Sequence, residues 1–352
     1  MRLARTEAGL WGVLGDALVP LQAALDAAAG EAARIREPGG ASQMFEAGSA
    51  EPMSDGGTEQ MPKVGGPAQM YEAGCSEQTS SAGEAEQRPS ARKGAIVLPT
   101  EMVALLGDET ALTACARALA FAARPENGAL RHPIAGLLAP LVPGKILGVG
   151  RNYGAHAAEV GGPKMEAPRI FLKPSSSVCG PGTLVRIPPA VTKPDWEVEL
   201  AVIIGRDASC VMESQALDHV AGYTILNDVS AREVQFDQPL PMTSFAKGLD
   251  DFCPIGPWIV TADEFGEPWQ VGLQCHLNGE LVQEGNTRDL IFSVAALIAY
   301  LSRYMTLRVG DVIATGTPSG SGHFRKPPRY LRSGDRMALS IEGIGVLEHG
   351  IA

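Results

Sequence analysis

The sequence predicts an α+β protein. Three observations carry that class. From Lys145 onward, short apolar segments punctuated by Gly and Pro recur (KILGVG, RIFLKP, VELAVIIG, GYTILND, GDVIATG, MALSIEG), the pattern of strands. One clear helix, Phe292 to Tyr304, carries apolar residues at 294, 297, 298 and 301, a single face at helical spacing. The strands do not alternate regularly with helices, so a doubly wound sheet is excluded.

In chain order, Arg2 to Leu21 reads as a β-hairpin, LWGVL and ALVPL joined by a Gly15-Asp16 turn. Leu21 to Arg34 is Ala-rich with Leu25 in register and favours a short helix. Between Glu37 and Ala95 there is no Leu or Ile, while Gly, Pro, Ser and Glu abound. Such a stretch buries too little apolar surface to offset its ordering entropy, so 37–94 is expected to be disordered. It holds a near-repeat, QMFEAGSAE at 43–51 and QMYEAGCSE at 69–77, read as slippage in an unconstrained linker rather than a duplicated interaction motif. Order is expected to resume at Ala95-Ile96-Val97-Leu98, with a helical pattern over Thr110–Ala123 and a linker over Pro133–Pro143. Two units follow, a small N-terminal one over 1–141 and a second over 142–352.

The 352 residues carry a formal net charge of −11. Nine acids against Lys63 between Glu37 and Glu86 give −8 there, leaving −3 for the rest of the chain. An acidic chain is a poor partner for phosphate backbones or anionic lipid, so nucleic acid and membrane are not expected partners. No apolar run approaches the roughly 18 residues of a membrane span. The six cysteines are scattered with no C-x-x-C pair, which reads as reduced thiols and a cytoplasmic location. A mitochondrial transit peptide is the alternative, since Glu7 is the only acid before Asp16.

The strongest chemical signal is the run from Asp195 to Gly205, DWEVELAVIIG. On a strand, Glu197 and Glu199 face one way while Trp196, Val198 and Leu200 face the other. Two carboxylates on one face repel unless something neutralises them; the competing reading is an edge strand with a solvated acidic face. Asp228 ends the apolar segment GYTIL, and three carboxylates without His or Cys would form an all-oxygen site suited to Mg²⁺, Mn²⁺ or Ca²⁺. Taken alone, Asp228 also reads as a helix N-cap or Asx-turn. His156 and Glu159 are three apart, so a helix beginning near Tyr153 places them on one face, as a general base acting on water needs. An exposed His–Glu pair would look the same. Lys247 could stabilise an enolate or oxyanion, or be a solvated lysine paired with Asp250 or Asp251. Thr315-Gly316-Thr317-Pro318 offers hydroxyls and amides, or plain turn chemistry. GVGRNYG is no dinucleotide fingerprint and SGSG no nucleophile elbow. His132, His219, His276, His323 and His349 have no partner pattern and read as structural.

With these residues in view, Lys145 to Ile351 resembles the fumarylacetoacetate hydrolase superfamily, C-terminal catalytic domain type. The resemblance rests on GRNYGAHAAE, FLKPSSSVCGPG, DWEVELAVIIG, AGYTILNDVSAREVQ, FCPIGPW, LNGELVQEGNTRDLIF, MTLRVGDVIATGTPSG and YLRSGDRMALSIEGIG, in order over about 200 residues. Met1–Ile35 and Ala95–Leu141 look like the small N-terminal domain of bacterial-type members, here interrupted by the insert. The resemblance implies a mixed β-roll binding Mg²⁺ or Mn²⁺ through Glu197, Glu199 and Asp228, and a 2-oxo acid or 1,3-dicarbonyl substrate. It implies that His156 and Glu159 lie on a mobile lid helix and activate water. Arg232, Gln235, Lys247 and Thr317 fall on positions that bind or polarise substrate, with Lys173 and Arg151 as further substrate-binding candidates. It also implies a homodimer. FDQPLPMTSFA stands where many relatives carry a longer stretch with an aromatic pair, so specificity does not transfer. The expected function is metal-dependent C–C bond hydrolysis or decarboxylation of a small acylpyruvate- or fumarylacetoacetate-like acid. An isomerase or hydratase of 2-hydroxy-dienoate diacids is the alternative, and a non-catalytic metal-binding scaffold the reading from another class.

Overall fold

The computed structural model describes residues 1–35, 98–161 and 165–352. The disorder expected over 37–94, its near-repeat and the order expected at 95–97 lie outside the described residues. The α+β class stands: a mixed eleven-stranded sheet, a five-stranded sheet and a two-stranded ladder are accompanied by short helices. Among the described residues no helix is long and apolar enough to cross a membrane.

The N-terminal hairpin forms as Gly9–Leu14 and Ala17–Pro20, with Gly15 supplying the positive φ of 61° at the turn. A third strand, Arg2–Thr6, precedes it and joins it to the large sheet, where Arg2 and Leu3 pair antiparallel with Val260 and Ile259. The Met1 ammonium fixes that junction, donating to Thr261 Oγ1 at 2.5 Å and pairing with Glu264 at 3.0 Å. The following helix runs Leu21–Ile35, and the Glu109–Ala122 helix starts where the Asp108 side chain accepts from the Ala111 amide. The expected linker over Pro133–Pro143 is instead laid against the N-terminal strands. Leu138 donates its amide to Arg5 O, and Ala139 and Leu141 are buried, so its apolar residues add to the core.

At the centre runs Val198–Ile204, between Val220–Asn227 and Val312–Ala314, antiparallel to both. All seven of its residues are buried, which rules out the competing edge-strand reading: the apolar run 200–204 belongs to a strand covered on both faces. The alternation itself holds. Trp196, Val198, Leu200, Val202 and Ile204 enter the core beneath the five-stranded sheet, whose Leu273, Cys275, Met337 and Leu339 face them. Ala201 and Ile203 enter the other core with Leu3, Ala114 and Cys115. The expected helix runs Val294–Ser302, capped by Ser293, with 294, 297, 298 and 301 all buried. Cys115, Cys179, Cys253 and Cys275 are buried free thiols.

Candidate active site

The acids meet where the central strands end. Glu197 immediately precedes Val198–Ile204, Asp228 immediately follows Val220–Asn227, and antiparallel pairing of Val198 with Asn227 brings both ends together. Asn227 sets the join by accepting the Glu197 amide on Oδ1 at 3.0 Å, while Asp228 donates its amide to Glu197 O at 2.9 Å. One carboxylate oxygen from each of Glu197, Glu199 and Asp228 lies within 4.8 Å of the others, and all three residues are buried.

Their partners differ. Glu197 accepts from Arg232 at 2.5 Å on Oε1 and from Lys247 at 2.7 Å on Oε2. Burial alone would raise its carboxyl, but Lys247 and Arg232 hold it below the usual range. Asp228 takes Lys173 on Oδ1 at 2.7 Å and Lys247 on Oδ2 at 2.5 Å. Among the described residues Glu199 has no cation of its own and accepts only the Gly316 amide, at 2.8 Å on Oε2. Burial, then the Asp228 and Glu197 charges, raise its carboxyl well above the usual range. A buried carboxylate short of a counter-charge, beside two others in an all-oxygen set, fits a hard divalent cation held by Glu197, Glu199 and Asp228.

The basic residues are similarly engaged. The three Lys247 hydrogens go to Glu197, Asp228 and Ser230 Oγ, the last at 2.7 Å, so its pairing is with the cluster rather than with Asp250 or Asp251. Its ammonium also lies 5.0 Å from the Phe171 ring centre. Burial lowers Lys247, yet Asp228 and Glu197 outweigh it and its pKa is raised. Lys173 gives its hydrogens to Asp228, Lys247 O and Phe252 O, and is not among the residues lining the cavity. It therefore supports the acids from behind. Among the described residues Arg232 uses three of its five hydrogens, on Asp195, Gln235 and Glu197, leaving two for a ligand.

The cavity above the cluster holds about 40 Å³, room for a few waters. Arg151, His156, Glu197, Glu199, Arg232, Gln235, Lys247 and Thr317 line it, with Arg169, Phe171, Phe236 and Phe324. The expected helix runs Gly154–Val160, and His156 Nδ1 lies 3.0 Å from Glu159 Oε2. Glu159 Oε1 accepts the Gly320 amide at 3.2 Å, so both of its oxygens are engaged and the imidazole is held from one side. Thr317 Oγ1 donates to Val198 O and accepts from Gln283, so it shapes the wall more than it offers a free donor.

Sequence reasoning missed several residues. Asp195 accepts four bonds, from the amides of Trp196, Gly322 and His323 and from Arg232 Nε. Gln283 ties the Val198 amide to Thr317 and Pro318 O, and Asn152 ties Phe292 to Thr315 O. Asp195 stood inside the quoted DWEVEL motif, but its partners are up to 128 residues away and no local spacing reveals them.

Comparisons with known proteins identify the family. The family described as fumarylacetoacetate (FAA) hydrolase C-terminal matches residues 145–352. A putative hydrolase of Burkholderia multivorans is 50% identical over 203 residues, 57% of this chain and 72% of that protein. Maleylpyruvate hydrolase from Sphingobium sp. SYK-6, solved with manganese(II) and pyruvate, superposes with a TM-score of 0.66 at 28% identity, covering 100% of this chain and 99% of that one. The 2-hydroxyhepta-2,4-diene-1,7-dioate isomerase of Mycobacterium marinum gives a TM-score of 0.55 at 38% identity, over 63% of this chain and 80% of that one. The chain belongs to the fumarylacetoacetate hydrolase family of enzymes.

Proposed function

We propose that the protein is a divalent-metal-dependent hydrolase or decarboxylase cleaving a C–C bond in a small 2-oxo or 1,3-dicarbonyl acid. The observation that carries this is the His156–Glu159 dyad at the cavity of the carboxylate cluster, with Glu159 held from its other oxygen by Gly320. Bound by Glu197, Glu199 and Asp228, Mg²⁺ or Mn²⁺ would polarise the carbonyl of the acid. Glu159 fixes His156 with Nδ1 engaged, which leaves Nε2 as the base that takes a proton from water. Arg232, with two hydrogens to spare and Gln235 beside it, holds the substrate carboxylate. Lys247 acts through its charge, since its hydrogens are taken, and favours the enolate left when the bond breaks. The manganese and pyruvate bound by the Sphingobium hydrolase support this reading.

Isomerisation of a 2-hydroxy-dienoate diacid is the second reading, favoured by the Mycobacterium marinum relative. It needs proton shuttling without attack by water, and could use the same acids. A homodimer is part of the proposal, supported by the exposed apolar Leu240, Met242 and Phe245 of one short segment and by exposed Leu172, whose amide donates to Ser244 Oγ in that segment.

The test is a panel of acylpyruvates, oxaloacetate and dienoate diacids, assayed with and without EDTA, on wild type and Glu159→Gln. Cleavage that EDTA abolishes and that falls by about 10²-fold or more in Glu159→Gln supports the hydrolase. Tautomerisation without cleavage selects the isomerase, and full turnover in Glu159→Gln removes the dyad from the mechanism.

A further inference from the structure

The segment Arg325–Arg332, RKPPRYLR, places four cations in eight residues of a chain whose net charge is −11. A solvated basic turn would carry such a run too. Here the segment instead walls a cavity of about 640 Å³, within the size range of small-molecule sites. Arg325, Lys326, Arg329 and Arg332 line it, and among the described residues the acids facing them are Glu280 and Asp335, a formal +2. This cavity shares no lining residue with the one over the carboxylate cluster, although Phe324, one residue before Arg325, belongs to that one.

The cations are held in place. Pro327 and Pro328 fix φ at two of the eight positions. The Arg325 and Arg329 amides both donate to Gly322 O, at 3.4 and 3.0 Å, and the Leu331 amide donates to Pro194 O at 2.8 Å. The Gly322 amide in turn donates to buried Asp195, so the segment is closed on itself and tied to the core. Glu280 bridges the two guanidinium groups, accepting from Arg325 on Oε1 at 3.0 Å and from Arg329 on Oε2 at 2.8 Å. Among the described residues each of these arginines spends one of its five hydrogens and keeps four. Asp335 is already engaged, since Oδ1 accepts from Asn278 and Oδ2 from the Arg332 amide. Lys326 and Arg332 have no acidic partner among the described residues. Tyr330 Oη is taken by His323 Nδ1 at 3.1 Å, which leaves its ring, with Pro327 and Pro328, as the less polar wall. One carboxylate thus aligns two guanidinium groups, and the remaining positive charge is pre-organised for a ligand.

We infer that the cavity walled by Arg325–Arg332 is a binding site, separate from the catalytic one, for a small organic phosphate monoester. Above pH 7 such a group is close to a dianion with three acceptor oxygens, which matches the +2 of the lining. The planar donors of Arg325 and Arg329 suit its oxygens in pairs, and Lys326 and Arg332 supply the charge without an acid of their own. The Tyr330 and proline wall takes the organic body. The inference stands apart from the proposed C–C bond cleavage, because none of these residues lines the catalytic cavity.

The test is calorimetric titration of phenyl phosphate into the full chain at mildly alkaline pH, with phenyl sulfate, a monoanion of the same shape, as control. Wild type is expected to bind phenyl phosphate about 10-fold or more tightly than phenyl sulfate, the scale of one charge-assisted contact. Lys326→Gln and Arg332→Gln, both at exposed positions, should each weaken phenyl phosphate by about 10-fold. Arg169→Gln, at the catalytic cavity, should leave its affinity unchanged. No binding to wild type, equal binding of the two probes, full affinity in both Lys326→Gln and Arg332→Gln, or loss in Arg169→Gln overturns the inference. So does cosedimentation of the full chain with phosphatidylglycerol vesicles that Lys326→Gln and Arg332→Gln abolish, since the basic segment would then serve an anionic bilayer.

Discussion

Glu197 and Glu199 are two residues apart on one face, yet their electrostatic settings are opposite: Glu197 is clamped by Lys247 and Arg232, and Glu199 has one backbone amide. The first is an anion already compensated by the protein. The second is pushed toward its protonated form by burial and by the Asp228 and Glu197 charges. Both face the candidate metal site, but the stability of the metal-free protein rests on Glu197.

In metal-free protein, Glu197→Gln should therefore cost about 3 kcal/mol, because it leaves buried Lys247 and Arg232 short of an anion. Glu199→Gln should cost less than about 1 kcal/mol. A raised carboxyl pKa means that the native state binds more protons than the unfolded chain. Wild-type stability consequently falls as pH rises above the ordinary carboxylate range, and Glu199→Gln should lose that slope. Urea unfolding of chelator-treated proteins across pH measures both effects; equal costs for the two variants would refute the asymmetry.

Asp195 joins Arg232 to the Gly322–His323 backbone without lining the cavity, so it is a positioning residue. In Asp195→Asn one carboxylate oxygen becomes a donor facing donors. Expected are a loss of about 2–4 kcal/mol and a rise in KM that exceeds the fall in kcat. Unchanged KM with lowered stability would confine Asp195 to a purely structural role.

His349 gives a separate pH signature. Its Nε2 lies 2.9 Å from Asn227 Nδ2, and Asn227 Oδ1 is committed to the Glu197 amide, so Asn227 donates and His349 is neutral. Burial lowers its pKa to about 4, against a raising contact with Gly350 O. As pH falls below the ordinary value near 6.5, the unfolded chain takes up the proton first, so stability drops by up to about 3 kcal/mol between pH 6.5 and 4. Thermal melts of wild type and His349→Gln over that range check it: the variant should lack this component.

The parts of the site legible in the sequence are those with a local period. Alternation placed Glu197 and Glu199 on one face, three-residue spacing placed His156 over Glu159, and an acid closing an apolar strand marked Asp228. The five-residue apolar run 200–204 already argued for a central strand against the competing solvated edge. Asp195, Gln283, Asn152 and the Asn227–His349 pair act through contacts 34 to 163 residues apart, which only the assembled sheet supplies.

Calorimetric titration of Mn²⁺ into wild type and Glu199→Gln, in buffers of different ionisation enthalpy, bears most directly on the role of Glu199. Wild type should bind one ion per chain with release of a proton just above the ordinary carboxylate pH range, whereas the folded variant should lose affinity by at least about 10-fold with no such release. Wild-type affinity in Glu199→Gln, or binding to wild type without proton release, would contradict the account.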